Sequence, residues 1–356
     1  MLAVDSYPKY AALLMPKLEG VDQNLTIEKI VKNRKMWFCD EGSFTVCPAL
    51  KNIAKQYNAE CEIGIKVNAY SVPEKQPLAG QPIYKQFELD IFNFAELNNY
   101  WLRYNDNKIV YGWPGNRIFD LTNPEMLKFF KLKLKELLVR VNVNKIFLDE
   151  LQFGLGYLPN AINIKTYAQE ITSDLSPEAR DIYWEQSSHN ILRSLPPNSV
   201  VANGATFQPE NMHNFIFIQN ASSMNSLALK DRIMMFLENG SDVIRSRNII
   251  LENQANNPNY NFIIGIASLY DCALQFSDGI FKNDPIGYMP IASGEFGKPI
   301  EYLNYVINAT SQQLIPFVVY NTDFSGHLIA KRFFTHGILR VDFGLKTYVF
   351  IKSNKL

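Results

Sequence analysis

The sequence predicts an α/β protein, namely a (β/α)8 TIM-like barrel with a small C-terminal antiparallel β extension. Short apolar runs alternate with helix-patterned stretches seven or eight times, which is typical of a parallel sheet. The 356 residues suffice for a barrel of about 250 residues with an appendage. The tail, residues 332–351, alternates Phe and Val around Gly337 and Gly344, which predicts antiparallel strands.

Each predicted strand is a short apolar run that a polar turn follows. The predicted strands cover 35–39, 61–67, 108–113, 145–148, 198–202, 232–237, 261–266 and 314–320. The predicted helices cover 46–58, 124–140, much of 162–194, 243–255, 268–276 and 300–312. The helix at 124 has the clearest start, because Thr122 or Asn123 can cap it and Pro124 takes its first position. We therefore expect a barrel with an N-terminal lead-in over 1–325 and a β extension over 326–356.

The amino-acid composition indicates which classes of binding partner are not expected. Hydrophobic residues make up 47% of the chain and charged residues 20%, which is typical of a globular protein. Lys+Arg and Asp+Glu are 35 each, so the net charge gives no reason to expect a nucleic acid or an anionic membrane as partner.

The first twenty residues lack the basic and apolar regions of a signal peptide, and no apolar run is long enough for a membrane span. The four cysteines form no C-x-x-C pair, so we interpret them as buried thiols in a reducing setting. We accordingly expect a cytoplasmic protein or part of an assembly.

Polar residues lie at or just after the ends of the predicted strands, and in a closed barrel these strand ends meet at one face. The set consists of Asp40, Lys66, Asp149, Glu150, Asn203, Glu238 and Asp271. Two carboxylates across a cleft are what glycoside hydrolysis requires, since one protonates the leaving oxygen while the other attacks the sugar or activates water. We predict Asp149 and Glu238 as this catalytic pair, because they end the fourth and sixth strands. The remaining five are predicted substrate ligands, with Tyr70, Trp113 and Tyr157 as aromatic platforms for sugar rings.

Each of these residues also has a structural interpretation. Asp149 can cap the turn after its strand, Glu238 can pair with Arg245 or Arg247, and Asn203 opens an Asn-Gly turn. Asp120, in the run D-L-T-N-P, is predicted to serve turn and cap chemistry.

The sequence lacks the motifs that are typical of metal-dependent, nucleotide-binding and serine hydrolase chemistry. The four histidines show no H-x-x-x-H spacing and no triad partner, so we predict no metal site. No G-x-S-x-G, Walker or G-x-G-x-x-G motif occurs, and we predict no cofactor.

The chain resembles glycoside-hydrolase-like TIM barrels related to the endo-α-1,4-polygalactosaminidase family. The matching segments are Trp101, 105–107 (NDN), 109–113 (IVYGW), 120–125 (DLTNPE), 144–150 (NKIFLDE), 267–270 (ASLY) and 330–341 (AKRFFTHGILRV). The chain departs where Asn144-Lys145 replaces an Asp-Gly and where Asp342 replaces an Asn. The resemblance implies a barrel in which Asp149 is a catalytic carboxylate and Glu238 is its partner.

The leading hypothesis is therefore a glycosidase that cleaves a glycosidic bond in a polysaccharide or glycan. The alternative is a catalytically silent barrel that binds glycans or serves as a structural part of a cell-surface or virus assembly, since barrels can keep a fold and lose an activity. The partners expected are a carbohydrate substrate and, in the alternative, an assembly partner.

Overall fold

The computed structural model describes most of the central and C-terminal parts of the chain. The described residues are 36–39, 47–57, 61–74, 83–112, 115–151, 154–156, 158–173, 175–196, 199–203, 215–218, 221–238, 249–253, 258–276, 296–297, 299–300 and 317–353.

Over these residues the chain alternates strands and helices and then ends in strands. The strands are β1 (Met36–Cys39), β2 (Glu62–Asn68), β3 (Ser71–Pro73), β4 (Arg103–Tyr104), β5 (Asn116–Ile118), β6 (Lys145–Asp149), β7 (Ile164–Lys165), β8 (Val200–Asn203), β9 (Phe215–Ile218), β10 (Ile249–Asn253), β11 (Ala273–Phe276), β12 (Val319–Thr322), β13 (Leu328–Phe334), β14 (Gly337–Asp342) and β15 (Thr347–Lys352). The helices are α1 (Cys47–Tyr57), α2 (Ile83–Asn98), α3 (Pro124–Val141), α4 (Tyr167–Ile171), α5 (Pro177–Arg193), α6 (Ser226–Glu238) and α7 (Tyr260–Tyr270).

Seven strands form one parallel sheet in the order β1-β2-β6-β8-β9-β10-β11. The α/β class and the C-terminal antiparallel sheet, β12-β13-β14-β15, are confirmed. Closure into a barrel is not seen, because β1 and β11 stand at opposite edges of the sheet among the strands that the structure describes.

Most early elements match the prediction from sequence. The predicted strands at 35–39, 61–67, 145–148 and 198–202 and the helices at 46–58 and 124–140 are confirmed to within about two residues. The helix start is confirmed in detail, since the Asn123 side chain accepts hydrogen bonds from the backbone N–H groups of Glu125 and Met126. The predicted turn role of Asp120 is also confirmed, because its carboxylate accepts bonds from Thr122 and from the N–H of Tyr167.

Several later elements were predicted wrongly. The described part of the strand predicted over 108–113, residues 108–112, forms only isolated bridges outside the parallel sheet. Residues 232–237 lie in helix α6, and residues 261–266 lie in helix α7. Strand β10 occupies part of the helix predicted over 243–255, and strand β11 occupies part of the helix predicted over 268–276. Residues 319–320 of the predicted eighth strand belong to β12 in the antiparallel sheet, and the helix predicted at 300–312 lies almost wholly outside the described residues.

Helix α7 was mistaken for a strand because it has no polar face. Its residues from Phe262 to Tyr270 are all buried, since it packs against the parallel sheet on one side and against β13, β14 and β15 on the other. Gly265 permits this close approach, because a Cβ there would lie 2.6 Å from Cβ of Tyr348. Every helix in the described part of the chain is too short or too polar to cross a bilayer.

The antiparallel sheet is joined to the rest of the protein by a buried ion pair. Arg332 of β13 makes a bidentate contact with Asp271, which follows α7, at 2.7 and 2.9 Å. Arg332 also donates to the carbonyl oxygens of Ser268 and Leu269, and the side chains of Arg332 and Asp271 are 1% and 7% exposed. The boundary expected after residue 325 falls in the turn between β12 and β13, and the division into two domains stays a prediction.

We expect Asp271→Asn to lower the free energy of unfolding by about 3–5 kcal/mol, because it leaves the Arg332 guanidinium buried without a countercharge. Urea unfolding followed by far-UV circular dichroism measures the loss. Asp106→Asn, which removes the same charge from a solvent-exposed pair with Lys108, is the matched control and should leave the midpoint unchanged. Equal midpoints for Asp271→Asn and wild type would contradict a structural role for the pair.

Candidate active site

The carboxyl ends of three neighbouring strands bring polar side chains together. Asn68 of β2 is in register with Asp149 of β6, and the next step of the register places Asn203 of β8 beside Asp149. Side chains alternate along a strand, so Asp149 lies on the same face as Phe147, whereas Ile146 and Leu148 join the apolar core on the other face. The sheet therefore presents one row of polar groups at its carboxyl edge.

Three groups hold the carboxylate of Asp149. The Nζ of Lys66 lies 2.7 Å from Oδ2, Nδ2 of Asn203 donates to Oδ1 at 2.7 Å, and the backbone N–H of Glu150 donates to Oδ1 at 3.0 Å. Charge-assisted hydrogen bonds are shorter and stronger than neutral ones, and here they reach both oxygens of Asp149. The carboxylate is therefore fixed in one orientation.

Glu150 has a different environment from its neighbour. Its backbone lies in the left-handed region at φ 61°, which is unusual for a residue other than glycine and turns the chain sharply after β6. Its Oε2 accepts a hydrogen bond from Oγ of Ser71 at 3.2 Å, and Nδ2 of Asn116 donates to the same Ser71 oxygen. Burial, together with the negative charge of Asp149, raises the pKa of Glu150.

The sheet below the site is packed by aromatic rings. Phe38 of β1 and Phe147 of β6 lie with ring centroids 5.8 Å apart on the face that carries Asp149. Gly64 of β2 makes room for them, because a Cβ there would lie 2.6 Å from the Phe38 ring. Below the rings, Lys145 pairs with Glu62 at 3.0 Å. A packed layer of this kind keeps the strand ends rigid beneath Lys66 and Asp149.

Of the residues predicted for the site, Lys66, Glu150 and Asn203 surround Asp149. Tyr70 is 2% exposed and packs edge to face against Trp184 in the core, so it presents no free ring face. Asp40, Trp113 and Tyr157 lie outside the described residues.

Glu238 and Asp271 do not follow strands, so their predicted positions at strand ends are wrong, while their roles in the site stay predictions. Glu238 is the last residue of α6, which lies in the connection from β9 to the adjacent parallel strand β10. Such a connection returns the chain to the amino edge of the sheet, away from Asp149. Asp271 precedes β11 and is therefore also at the amino edge, where it binds Arg332.

Sequence reasoning missed one buried carboxylate at the correct edge. Glu252 of β10 is 4% exposed, and the strand register places it on the same face as Asp149, three strands away. Three strand spacings amount to about 14 Å along a flat sheet. The signal was present in the sequence, because I-I-L-E-N at 249–253 is an apolar run that ends in an acid, as is K-I-F-L-D-E at 145–150.

The chain is similar to known proteins in its three-dimensional structure but not in its sequence. No family model and no curated protein matches the chain. Among solved structures, a GH31 α-xylosidase from a soil metagenome, complexed with xylose, matches with a TM-score of 0.48 and 12% identity over 77% of this chain and 43% of that one. A cycloalternan-degrading enzyme from Trueperella pyogenes matches with a TM-score of 0.48 and 9% identity over 81% and 43%. A GH31 dextranase from Flavobacterium johnsoniae, complexed with glucose, matches with a TM-score of 0.46 and 11% identity over 77% and 37%.

The chain spans less than half the length of each of these three structures. Membership of the polygalactosaminidase-related family, which the sequence resembles, is not shown by them and stays a prediction.

The environment of Glu150 predicts that two substitutions shift its pKa in opposite directions. Asp149→Asn should lower the pKa of Glu150, because it removes the adjacent negative charge, whereas Ser71→Ala should raise it, because it removes a hydrogen bond to the carboxylate. Carbon-13 NMR titration of the glutamate side-chain carboxyls measures both shifts. Shifts of the same sign in the two variants would contradict the arrangement described for Glu150.

Proposed function

We propose that the chain is a glycoside hydrolase-like protein that cleaves a glycosidic bond in a polysaccharide or glycan at the carboxyl edge of its parallel sheet. The observation that carries the proposal is the pair of adjacent carboxyl groups with opposite environments. Asp149 faces an ammonium group and two N–H donors, whereas Glu150 is partly buried and its pKa is raised. Enzymes that carry out acid and base chemistry in one site commonly use two carboxyl groups whose environments give them different pKa values, so that one is protonated while the other is ionised.

In this proposal Glu150 is the proton donor. Its protonated carboxyl group transfers the proton to the glycosidic oxygen as the bond from that oxygen to the anomeric carbon breaks. The ionised carboxylate of Asp149 then either bonds to the anomeric carbon or takes a proton from the water that does so. Lys66 and Asn203 are positioning residues, since they orient Asp149 through its two oxygens.

The identity of the second carboxyl group is the part of the sequence-based hypothesis that we revise. Glu238 was expected to face Asp149 across a barrel mouth, but α6 carries it toward the amino edge of the sheet. Glu150 is already beside Asp149, and Ser71 and Asn116 hold it there. The pair of Asp149 with Glu150 and the pair of Asp149 with Glu238 are competing proposals that one set of variants separates.

We also propose that the sheet closes into a barrel. The face that carries Asp149 buries Phe38, Phe147 and Val201, which stand apart from the apolar core shared with the helices, and it also buries Lys145 and Glu252. Buried side chains on the second face of a parallel sheet, separate from the core shared with the helices, are typical of a barrel interior. Trp113 and Tyr157 stay candidate sugar platforms on the evidence of the sequence alone.

The test is the release of new reducing ends from a panel of polysaccharides that includes galactosamine-containing polymers. We expect wild type to cleave one of them, Asp149→Asn and Glu150→Gln to lower kcat by about 10²–10⁴-fold, and Glu238→Gln to act as wild type. Far-UV circular dichroism and thermal melts of each variant verify that the protein is folded.

A large loss in Glu238→Gln with normal activity in Glu150→Gln would restore the pair expected from the sequence. Binding of a glycan by wild type without cleavage of any polymer would instead favour the catalytically silent alternative. Gln and Asn keep the size of the carboxyl groups, so these comparisons isolate their charge and proton.

The pH dependence of cleavage provides an independent check. A proton donor must be protonated, so kcat/KM should be retained below the raised pKa of Glu150 and lost as the pH rises through it. In Glu150→Gln the residual activity should no longer show this basic limb. A basic limb that is unchanged in Glu150→Gln would assign the proton donor to another residue.

A further inference from the structure

Two turns at one end of the antiparallel sheet bring together three side chains of the types that serve as metal ligands in proteins. Asp323 follows β12, His327 precedes β13, and Asp342 is the last residue of β14. The pairing of Ile329 with Asp342 brings the second turn beside the first. One ligand atom from each of the three side chains lies within 4.8 Å of the others.

The distances suit a shared ion better than direct hydrogen bonds. Nδ1 of His327 lies 3.8 Å from Oδ2 of Asp323 and 3.6 Å from Oδ1 of Asp342, which is too far for a hydrogen bond. The same Nδ1 atom is buried and has no hydrogen-bond partner among the described residues. Around a tetrahedral zinc ion with bonds of about 2.0–2.2 Å, two ligand atoms stand roughly 3.3–3.6 Å apart. The contact between His327 and Asp342 falls within this range, and the contact between His327 and Asp323 lies just beyond it.

Backbone N–H groups orient both carboxylates. Oδ1 of Asp323 accepts from the N–H groups of Ser325 and His327, each at 2.9 Å. Oδ1 of Asp342 accepts from the N–H groups of Gly344 and Leu345 at 3.0 and 2.9 Å. Hydrogen-bonded support of this kind holds metal ligands in place before the ion arrives.

A glycine makes room for the imidazole. A Cβ at Gly344 would lie 2.3 Å from Cγ of His327, so any side chain there would displace the ring. The side chains of His327 and Asp323 are 33% and 25% exposed, which leaves a path for an ion and for water.

We propose that Asp323, His327 and Asp342 form a binding site for a divalent transition-metal ion, with zinc as the best fit. One imidazole nitrogen and two carboxylate oxygens are ligands that zinc accepts, and water would complete the coordination. The prediction of no metal site rested on histidine spacing, which does not detect a site that combines one histidine with two aspartates from two turns.

The ion would tie the turn between β12 and β13 to the turn after β14, and the second of these turns also contacts the rest of the protein. The carbonyl oxygen of Phe343 accepts a hydrogen bond from Oγ of Ser226, and Nζ of Lys346 donates to the carbonyl oxygen of Met224. Both contacts join the turn after β14 to the start of α6. We therefore expect zinc to stabilise the docking of the antiparallel sheet.

Nitrogen-15 NMR of the histidine side chains in the full chain tests the site directly. Addition of one equivalent of zinc chloride at neutral pH should shift Nδ1 of His327 to the range of a metal-bound nitrogen, while His336, exposed at the other end of the same sheet, stays unchanged. Because this measurement uses wild type, it does not depend on whether any variant folds. An Nδ1 of His327 that remains unaffected by zinc would overturn the proposal.

Equilibrium dialysis against zinc chloride gives the second measurement. His327→Ala should bind one zinc ion fewer than wild type, and Asp342→Asn, which keeps the acceptor for the turn, should weaken that site by at least about tenfold. His336→Ala is the matched control and should bind as wild type does. Identical zinc stoichiometry and affinity in wild type and in folded His327→Ala would refute the site.

Discussion

The parallel pairing of β2 with β6 is the constraint on which the candidate site depends. This pairing joins segments that are far apart in the chain, because α2, α3 and three short strands lie between β2 and β6 in the sequence. The register sets Asn68 against Asp149, and the same register brings the ammonium group of Lys66 to the carboxylate. A shift of one residue would turn Asp149 to the opposite face, into the apolar core beneath α3.

The turn after β6 gives the two neighbouring carboxyl groups of Asp149 and Glu150 different surroundings. Asp149 completes the strand, and the left-handed backbone of Glu150 redirects the chain at once. The two carboxyl groups are therefore adjacent in sequence but have different neighbours, with Lys66 and Asn203 on one and Ser71 on the other. Unfavourable backbone geometry of this type is retained where the surroundings compensate for it, and here the N–H of Glu150 donates to Asp149.

The sequence predicted the first half of the chain better than the second because local signals agree there. The run D-L-T-N-P-E predicted the start of α3, and K-I-F-L-D-E predicted a buried strand with acids at its end. In the second half, burial on all sides removed the helical period from α7, so N-F-I-I-G-I has the pattern of a strand. The error at α6 has a similar origin, since R-I-M-M-F-L is a short apolar run that suits either element.

The candidate site was predicted in the same uneven way. Lys66, Asp149, Glu150 and Asn203 lie together as expected because the strands that carry them were assigned correctly, whereas Glu238 and Asp271 were misplaced together with their elements. Ser71 and Asn116 were missed because their approach to Glu150 depends on the short pairing of β3 with β5. Contacts of that kind come from tertiary structure and leave no periodic pattern in the chain.

The uniformly apolar surface of α7 has a consequence for how the protein is made. During synthesis α7 leaves the ribosome before β13, β14 and β15, which cover one of its sides. Until those strands arrive, the nascent chain carries an apolar helix with one side uncovered, and such surfaces promote association between incomplete chains. The antiparallel sheet thus covers a helix that precedes it in the chain, and the synthesis of β13, β14 and β15 ends the exposure of that side of α7.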